Sequence, residues 1–403
     1  MKRSVLFILV LFCFVNHSFA KIHFIEVRTQ TEWEEVLASA KVKDKVIFTE
    51  IYADGCEPCQ ELDSKAFLDN DLYNYINSEL IAVKFSSFSD FGLKFTELNE
   101  VNTIPVLYFM DPSGHIISEE IKGYRTAGKI LQAAKYYNEQ YSKLMSMKED
   151  FYSINRNQNI TLSYAFMLLH LKYVEEATVI SNQYFRNLDI FSYSPEEWTL
   201  VKQYLSDVNN PITQKVIAES ASFKAANGKE EVDAYLSELF KYNYTLAIQN
   251  KDRKQLENTL LMVDKIDFTN MGFQHLSSIQ MVEFFRISYF ERIADWTSYA
   301  QKVVDYVANN QVIDTDMRSF IQNFYLFVDD TDLMLVADSW AYNLLKKDKV
   351  FDNYIMYSLT QHKTDNKPKA FKLLKKAEKK AVTENDHKTI ANVTQAYGLE
   401  LIP

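Results

Sequence analysis

Cysteine, glycine and proline are all scarce in this 403-residue chain, which holds three, eight and seven of them. So few cysteines exclude a disulfide-stapled scaffold, in which several pairs are spread along the chain. Cys13 lies in an N-terminal apolar run, leaving Cys56 and Cys59 as the only others, two residues apart. A loop that short gains little from closure, so the pair points to chemistry rather than architecture. Basic charge is in deficit as well: 44 Lys and Arg stand against 54 Asp and Glu, a net charge of −10. With no basic cluster to offset it, that balance excludes a nucleic-acid-binding surface. After residue 20 no apolar run is long enough to cross a membrane, so the mature chain is expected to have no transmembrane segment.

Residues 5–15 are almost purely apolar and follow Lys2 and Arg3; Ser18 and Ala20 supply the small −3 and −1 residues of a cleavage site. The run is short for a bilayer span. Residues 1–20 therefore read as a cleaved secretory signal with the mature chain starting at Lys21, an uncleaved anchor being the alternative.

The scarce breakers are unevenly placed. Five glycines and three prolines precede residue 130, whereas the stretch beyond has only Gly228, Gly272, Gly398, Pro195, Pro211, Pro368 and Pro403. The first part alternates strand and helix patterns. Residues 22–27 predict a short strand, and Thr31-Glu32-Trp33-Glu34 predicts a capping box opening a helix to about Ala40. Residues 45–52 and 80–85 are β-branched and aromatic, as buried strands are. Residues 106–110 and 115–121 flank Asp111-Pro112-Ser113-Gly114 and predict a hairpin. From Thr126 the pattern is helical. A central mixed sheet with helices on both faces is the expectation.

Several motifs then occur in a telling order. A strand with Glu50 runs into Gly55-Cys56-Glu57-Pro58-Cys59, Lys84 interrupts the apolar run 80–85, and Thr103-Ile104-Pro105 precedes a strand. Residues 22–137 thereby resemble thioredoxin, and more closely the thioredoxin-like domains of periplasmic proteins in Gram-negative bacteria. The resemblance implies that Cys56 attacks a substrate disulfide from a helix N-terminus and that Cys59 resolves the mixed disulfide. It implies a buried Glu50 that relays protons to or from Cys59, Lys84 facing that acid, and Ile104-Pro105 as a cis bond that docks substrate. Zinc at the cysteines and an inert surface disulfide are the alternatives. Zinc would need two more ligands, and His23, His115, His170, His275, His362 and His387 form no paired ligand spacing. No metal or cofactor is expected. Two departures stand out: Gly55 replaces the family's Trp, and Glu57 lies between the cysteines. A carboxylate there disfavours the Cys56 thiolate and leans the pair towards reduction or isomerisation.

The expected domains are a signal at 1–20, a thioredoxin-like α/β domain at 21–139, and an all-α, TPR-like helical-repeat domain at 140–403. In the last, residues 164–185, 230–249, 281–307 and 332–347 are amphipathic runs. Trp340, Leu344, Tyr354, Tyr357, Leu359, Ala370, Leu374 and Ala377 are the packing candidates of its C-terminal helical pairs. The expected activity is extracytoplasmic, periplasmic thiol–disulfide exchange on cysteine-containing protein or peptide substrates, with a separate electron-donor protein. The alternative is a binding protein whose helical part recruits a partner, with the N-terminal domain as sensor or platform.

Overall fold

The computed structural model describes residues 21–268 and 276–398, so the signal expected at 1–20 lies outside it. The chain divides into two compact units, Met1–Tyr204 and Leu205–Pro403.

The first unit opens with β1 (Ile25–Glu26), α1 (Gln30–Lys43), β2 (Ile47–Tyr52) and α2 (Glu57–Ser64). A 3₁₀ turn at Ala66–Leu68 leads to α3 (Asn70–Glu79), β3 (Ile81–Ser86), α4 (Asp90–Leu98), β4 (Val106–Met110), β5 (Ile121–Lys122) and the long α5 (Ala127–Tyr152). The strands form one mixed sheet in the order β1-β3-β2-β4-β5. β1 and β2 flank β3 in parallel, while β4 runs antiparallel to β2 and to β5. Two expectations shift. The capping box that starts α1 is Thr29 with Glu32, not residues 31–34, and the helix runs on to Lys43. The hairpin after β4 is mostly a turn: Met110 bridges Ile116, and β5 pairs over only two residues.

Alternation along the strands sorts the sheet into two unlike faces. Ile47, Ile51, Val83, Phe85, Val106 and Tyr108 point to one side and pack with Trp33 and Val36 of α1 and Phe91 of α4. Gly92 lets α4 sit that close, because a Cβ there would lie 1.9 Å from the Ser86 carbonyl oxygen. The other side carries Phe48, which meets Phe67 and Phe109; Phe109 in turn stacks on Tyr137 of α5. Glu50 and Lys84 share this second face, side by side in register on β2 and β3.

Beyond α5 the unit adds α6 (Gln158–His170), α7 (Val174–Arg186) and α8 (Pro195–Tyr204). The run 164–185 is thus two helices, broken at Lys172, which adopts φ +67° without being glycine. The break is fastened to the turn after β4. Tyr173 donates a 2.7 Å hydrogen bond to Asp111, whose other oxygen accepts from Ser113 and His115 amides. The His115 ring stacks on Tyr173 at 4.2 Å.

The second unit is helical throughout its described residues. It comprises α9 (Pro211–Ala218), α10 (Ser220–Asn227), α11 (Lys229–Asn250), α12 (Arg253–Leu260), α13 (Ser278–Arg292) and α14 (Trp296–Asn309). α15 (Asp314–Phe327), α16 (Thr331–Lys347), α17 (Phe351–Lys363), α18 (Lys367–Glu378) and α19 (Glu384–Ala396) complete it. The run 281–307 splits at Ala294, again with positive φ, whereas 230–249 and 332–347 are single helices. Packing passes mainly from each helix to the next in sequence. The C-terminal packing candidates meet in one cluster: Leu344, Tyr357, Leu359, Ala370, Leu374 and Ala377 are buried in it, with Trp340 and Tyr354 against its edge. No described helix is long and apolar enough to cross a membrane.

Candidate redox site

The site begins at the C-terminal end of β2. The Cys56 amide donates to the Ala53 carbonyl at 3.3 Å, closing a turn in which Gly55 adopts φ +75°. A tryptophan at position 55 would be strained in that conformation, which accounts for the glycine. Cys56 is the N-cap of α2, and its sulfur accepts from the Cys59 amide at 3.2 Å. Pro58 sits in the first turn, where no intrahelical N–H bond is lost. Cys56 and Cys59 are joined as a disulfide with their Cα atoms 5.3 Å apart. Cys56 is half-buried, whereas Cys59 is only 5% exposed and faces the protein interior. On reduction, the unpaired amides and dipole of the helix end favour negative charge on Cys56. Glu57, also in that first turn, is exposed.

Glu50 projects from the middle of β2 onto the face that α2 covers. It is 1% exposed, and neither carboxyl oxygen has a hydrogen-bond partner. Burial is the main force that pushes its proton affinity up, to about 8; the negative charge of Asp63 adds to this and Lys84 opposes it. Below that pH the group is a neutral acid under the helix, able to hold a proton and to give one up.

Lys84 stands next to Glu50 in register on the same face, and its charge acts on the acid, although no ion pair joins the two. Its ammonium turns outward, 4.0 Å from Asp63 on α2, and lies over the rings of Phe24 and Tyr52. Asp63 carried no signal of its own in the sequence. Its spacing of four from Cys59 places both on one side of α2, and that spacing is what could have singled it out.

The Ile104–Pro105 bond is cis. Pairing of Ile51 with Val106 places Pro105 level with the end of β2, at the same edge of the sheet as Cys56. Pro105 is buried, and its carbonyl accepts from the Gly123 amide at 2.8 Å. The Ile104 side chain is partly buried and packs against the α1–α4 core. Among the described residues no group of three or more metal-binding side chains converges.

The sequence model of the thioredoxin-like domain family matches residues 33–138. A comparison with curated proteins found no match. Among solved structures, the chain is similar to a candidate disulphide-isomerase from Bacteroides thetaiotaomicron, with 26% identity, 30% of this chain and 95% of that one covered, and a TM-score of 0.27. It is similar also to a thioredoxin from Thermus thermophilus, with 17% identity, 26% and 82% covered and a TM-score of 0.24. The DsbH oxidoreductase matches at 15% identity, covering 30% and 86%, with a TM-score of 0.25. Residues 33–138 form a thioredoxin-like domain, with the Cys56–Cys59 pair at the N-terminus of its second helix.

Proposed function

We propose that the protein is a thiol–disulfide oxidoreductase that reduces or isomerises protein disulfides in the periplasm. The observation that carries the reading is a half-buried Cys56 at a helix N-terminus, bonded to a buried Cys59, above an acid with no partner. In the reductive direction the Cys56 thiolate attacks one sulfur of a substrate disulfide. That bond breaks, the first substrate sulfur leaves as a thiolate, and Cys56 is held in a mixed disulfide. Glu50, neutral below about pH 8, first gives up its proton, and the resulting carboxylate takes the proton of the Cys59 thiol. The resulting thiolate attacks the Cys56 sulfur, expelling the second substrate thiolate. The protein ends as the Cys56–Cys59 disulfide with Glu50 protonated, and two electrons from a dithiol donor protein restore it. In this reading an extended substrate segment runs past Cys56 along the backbone of the cis Ile104–Pro105 bond. Export rests on residues 1–20, and sequencing the N-terminus of the secreted protein checks cleavage before Lys21.

Insulin reduction by the mature protein tests the activity. Cys56→Ser is expected to abolish it, and Cys59→Ser to accumulate mixed disulfides that non-reducing gels resolve. Capture by Cys56→Ser and not by Cys59→Ser would reverse the two roles. A chain that reduces nothing while its helical unit retains a partner would instead favour the binding-protein reading.

A further inference from the structure

One acidic side chain near the redox pair has no part in that sulfur chemistry. Asp63 lies at the rim of α2, with its side chain 54% exposed. It closes one wall of a cavity of about 350 Å³, whose other walls are Lys21, His23, Phe24, Phe67 and Lys84. Lys84 therefore has three carboxyls near it, Glu50 and Glu26 in register beside it on the sheet and, outermost, Asp63 above it on the helix. It takes the outermost one, while both Glu50 oxygens are left without a partner.

We propose that Asp63 is a positioning residue that holds the Lys84 ammonium on the cavity side and so sets the pH at which Glu50 releases the proton taken from Cys59. The proposal deepens the oxidoreductase reading and rests on it for its purpose, though not for its geometry. Three features support it. The Cys59–Asp63 spacing keeps both side chains on the side of α2 that covers Glu50. The Lys84 ammonium lies over the rings of Phe24 and Tyr52, 5.6 and 5.4 Å from their centroids. The cavity lies beside Lys84 and Asp63, which both line it while Glu50 does not, so the ammonium is held on the side away from the acid. The charges acting on Glu50 are Asp63 from α2 and Lys84 from β3. Its neighbour on β4 is the apolar Leu107, and α5 brings Tyr137, which stacks on Phe109. Glu26 on β1 is engaged by Tyr52 at 3.0 Å.

The test is the titration of Glu50 in the oxidised full-length protein, followed by ¹³C NMR of labelled glutamate and assigned by the signal lost in Glu50→Gln. In Asp63→Asn the lysine is freed to approach Glu50, and the midpoint should fall by about one pH unit. Asp63→Glu should restore it, and Lys84→Met should raise it. In a Lys84→Met background the Asp63→Asn change should be clearly smaller, because no ammonium remains to be released. Equal shifts in the two backgrounds, or an unmoved midpoint in Asp63→Asn, would overturn the proposal. If the midpoints move as described but the wild-type protein reduces no disulfide at any pH, the oxidoreductase reading fails and the positioning of Lys84 stands.

Discussion

Glu50 sits where a carboxylate is most costly, and that cost is measurable in the stability of the fold. Its proton affinity rises from the ordinary 4.5 to about 8, chiefly through burial. Below pH 4.5 the acid is protonated in both folded and unfolded chains. Between 4.5 and 8 the unfolded chain loses the proton and the folded one keeps it, so stability falls as pH rises and levels off above 8. Glu50→Gln should abolish that fall. Urea unfolding should find the variant close to wild type at pH 4 and more stable at pH 8, by up to a few kcal/mol at about 1.4 kcal/mol per unit. Parallel profiles would mean that Glu50 reaches water. Glu57 offers a second check at the same scale. It shares the first turn of α2 with the attacking sulfur, so exchanging it for histidine removes a charge that repels the thiolate. The reduced form gains, and Glu57→His should be more oxidising by on the order of tens of millivolts when equilibrated with glutathione. An unchanged potential would remove the support for a reductive lean. The cysteines, Glu50 and the proline were legible in the sequence because each interrupts a pattern: a lone C-x-x-C, an acid in an apolar strand, a proline before one. The outward turn of Lys84 was not legible, since it depends on Asp63 in another element.

At the scale of elements, what the sequence hid was where helices break. α6 and α7 part at Lys172, and α13 and α14 at Ala294, both in the left-handed region without glycine or proline. A reading that relies on those two residues as punctuation passes over such turns, and the runs 164–185 and 281–307 look continuous for that reason. The strands were plain because β2, β3 and β4 are almost wholly buried, so their apolar runs are long and unbroken. The capping box was displaced by two residues because Thr29 and Thr31 are equally good caps and only Thr29 lies at the turn. Gly92 shows how tightly α4 meets the sheet. Its amide caps on Ser89, and a single methyl would overlap the Ser86 carbonyl. Gly92→Ala should lower stability by about 1–3 kcal/mol, read from the denaturant midpoint, with α4 displaced from β3. A neutral substitution would show that the end of β3 yields freely.

At the scale of the molecule, the thioredoxin-like domain does not stand apart from the helices that follow it. Tyr173 reaches from the α6–α7 turn to Asp111 in the turn after β4, and the His115 ring lies flat against it. Tyr173→Phe keeps the stack but leaves a buried carboxylate oxygen short of a donor. Thermal unfolding should register a loss of about 1–3 kcal/mol, and His115→Ala should lose the stack separately. Position 139/140, where the sequence reading sets its domain boundary, lies within α5. α5 makes contacts on both sides of it: Tyr137 stacks on Phe109 of the sheet, and Phe151 meets Tyr164 of α6. Fourteen residues of unbroken helix separate those two contacts, about 21 Å at 1.5 Å per residue. Such a rod works as a keel rather than a hinge: spacing and bearing between the redox layer and the first helical pair are built into one piece of backbone, and whatever α6 carries keeps station with Cys56 instead of searching for it.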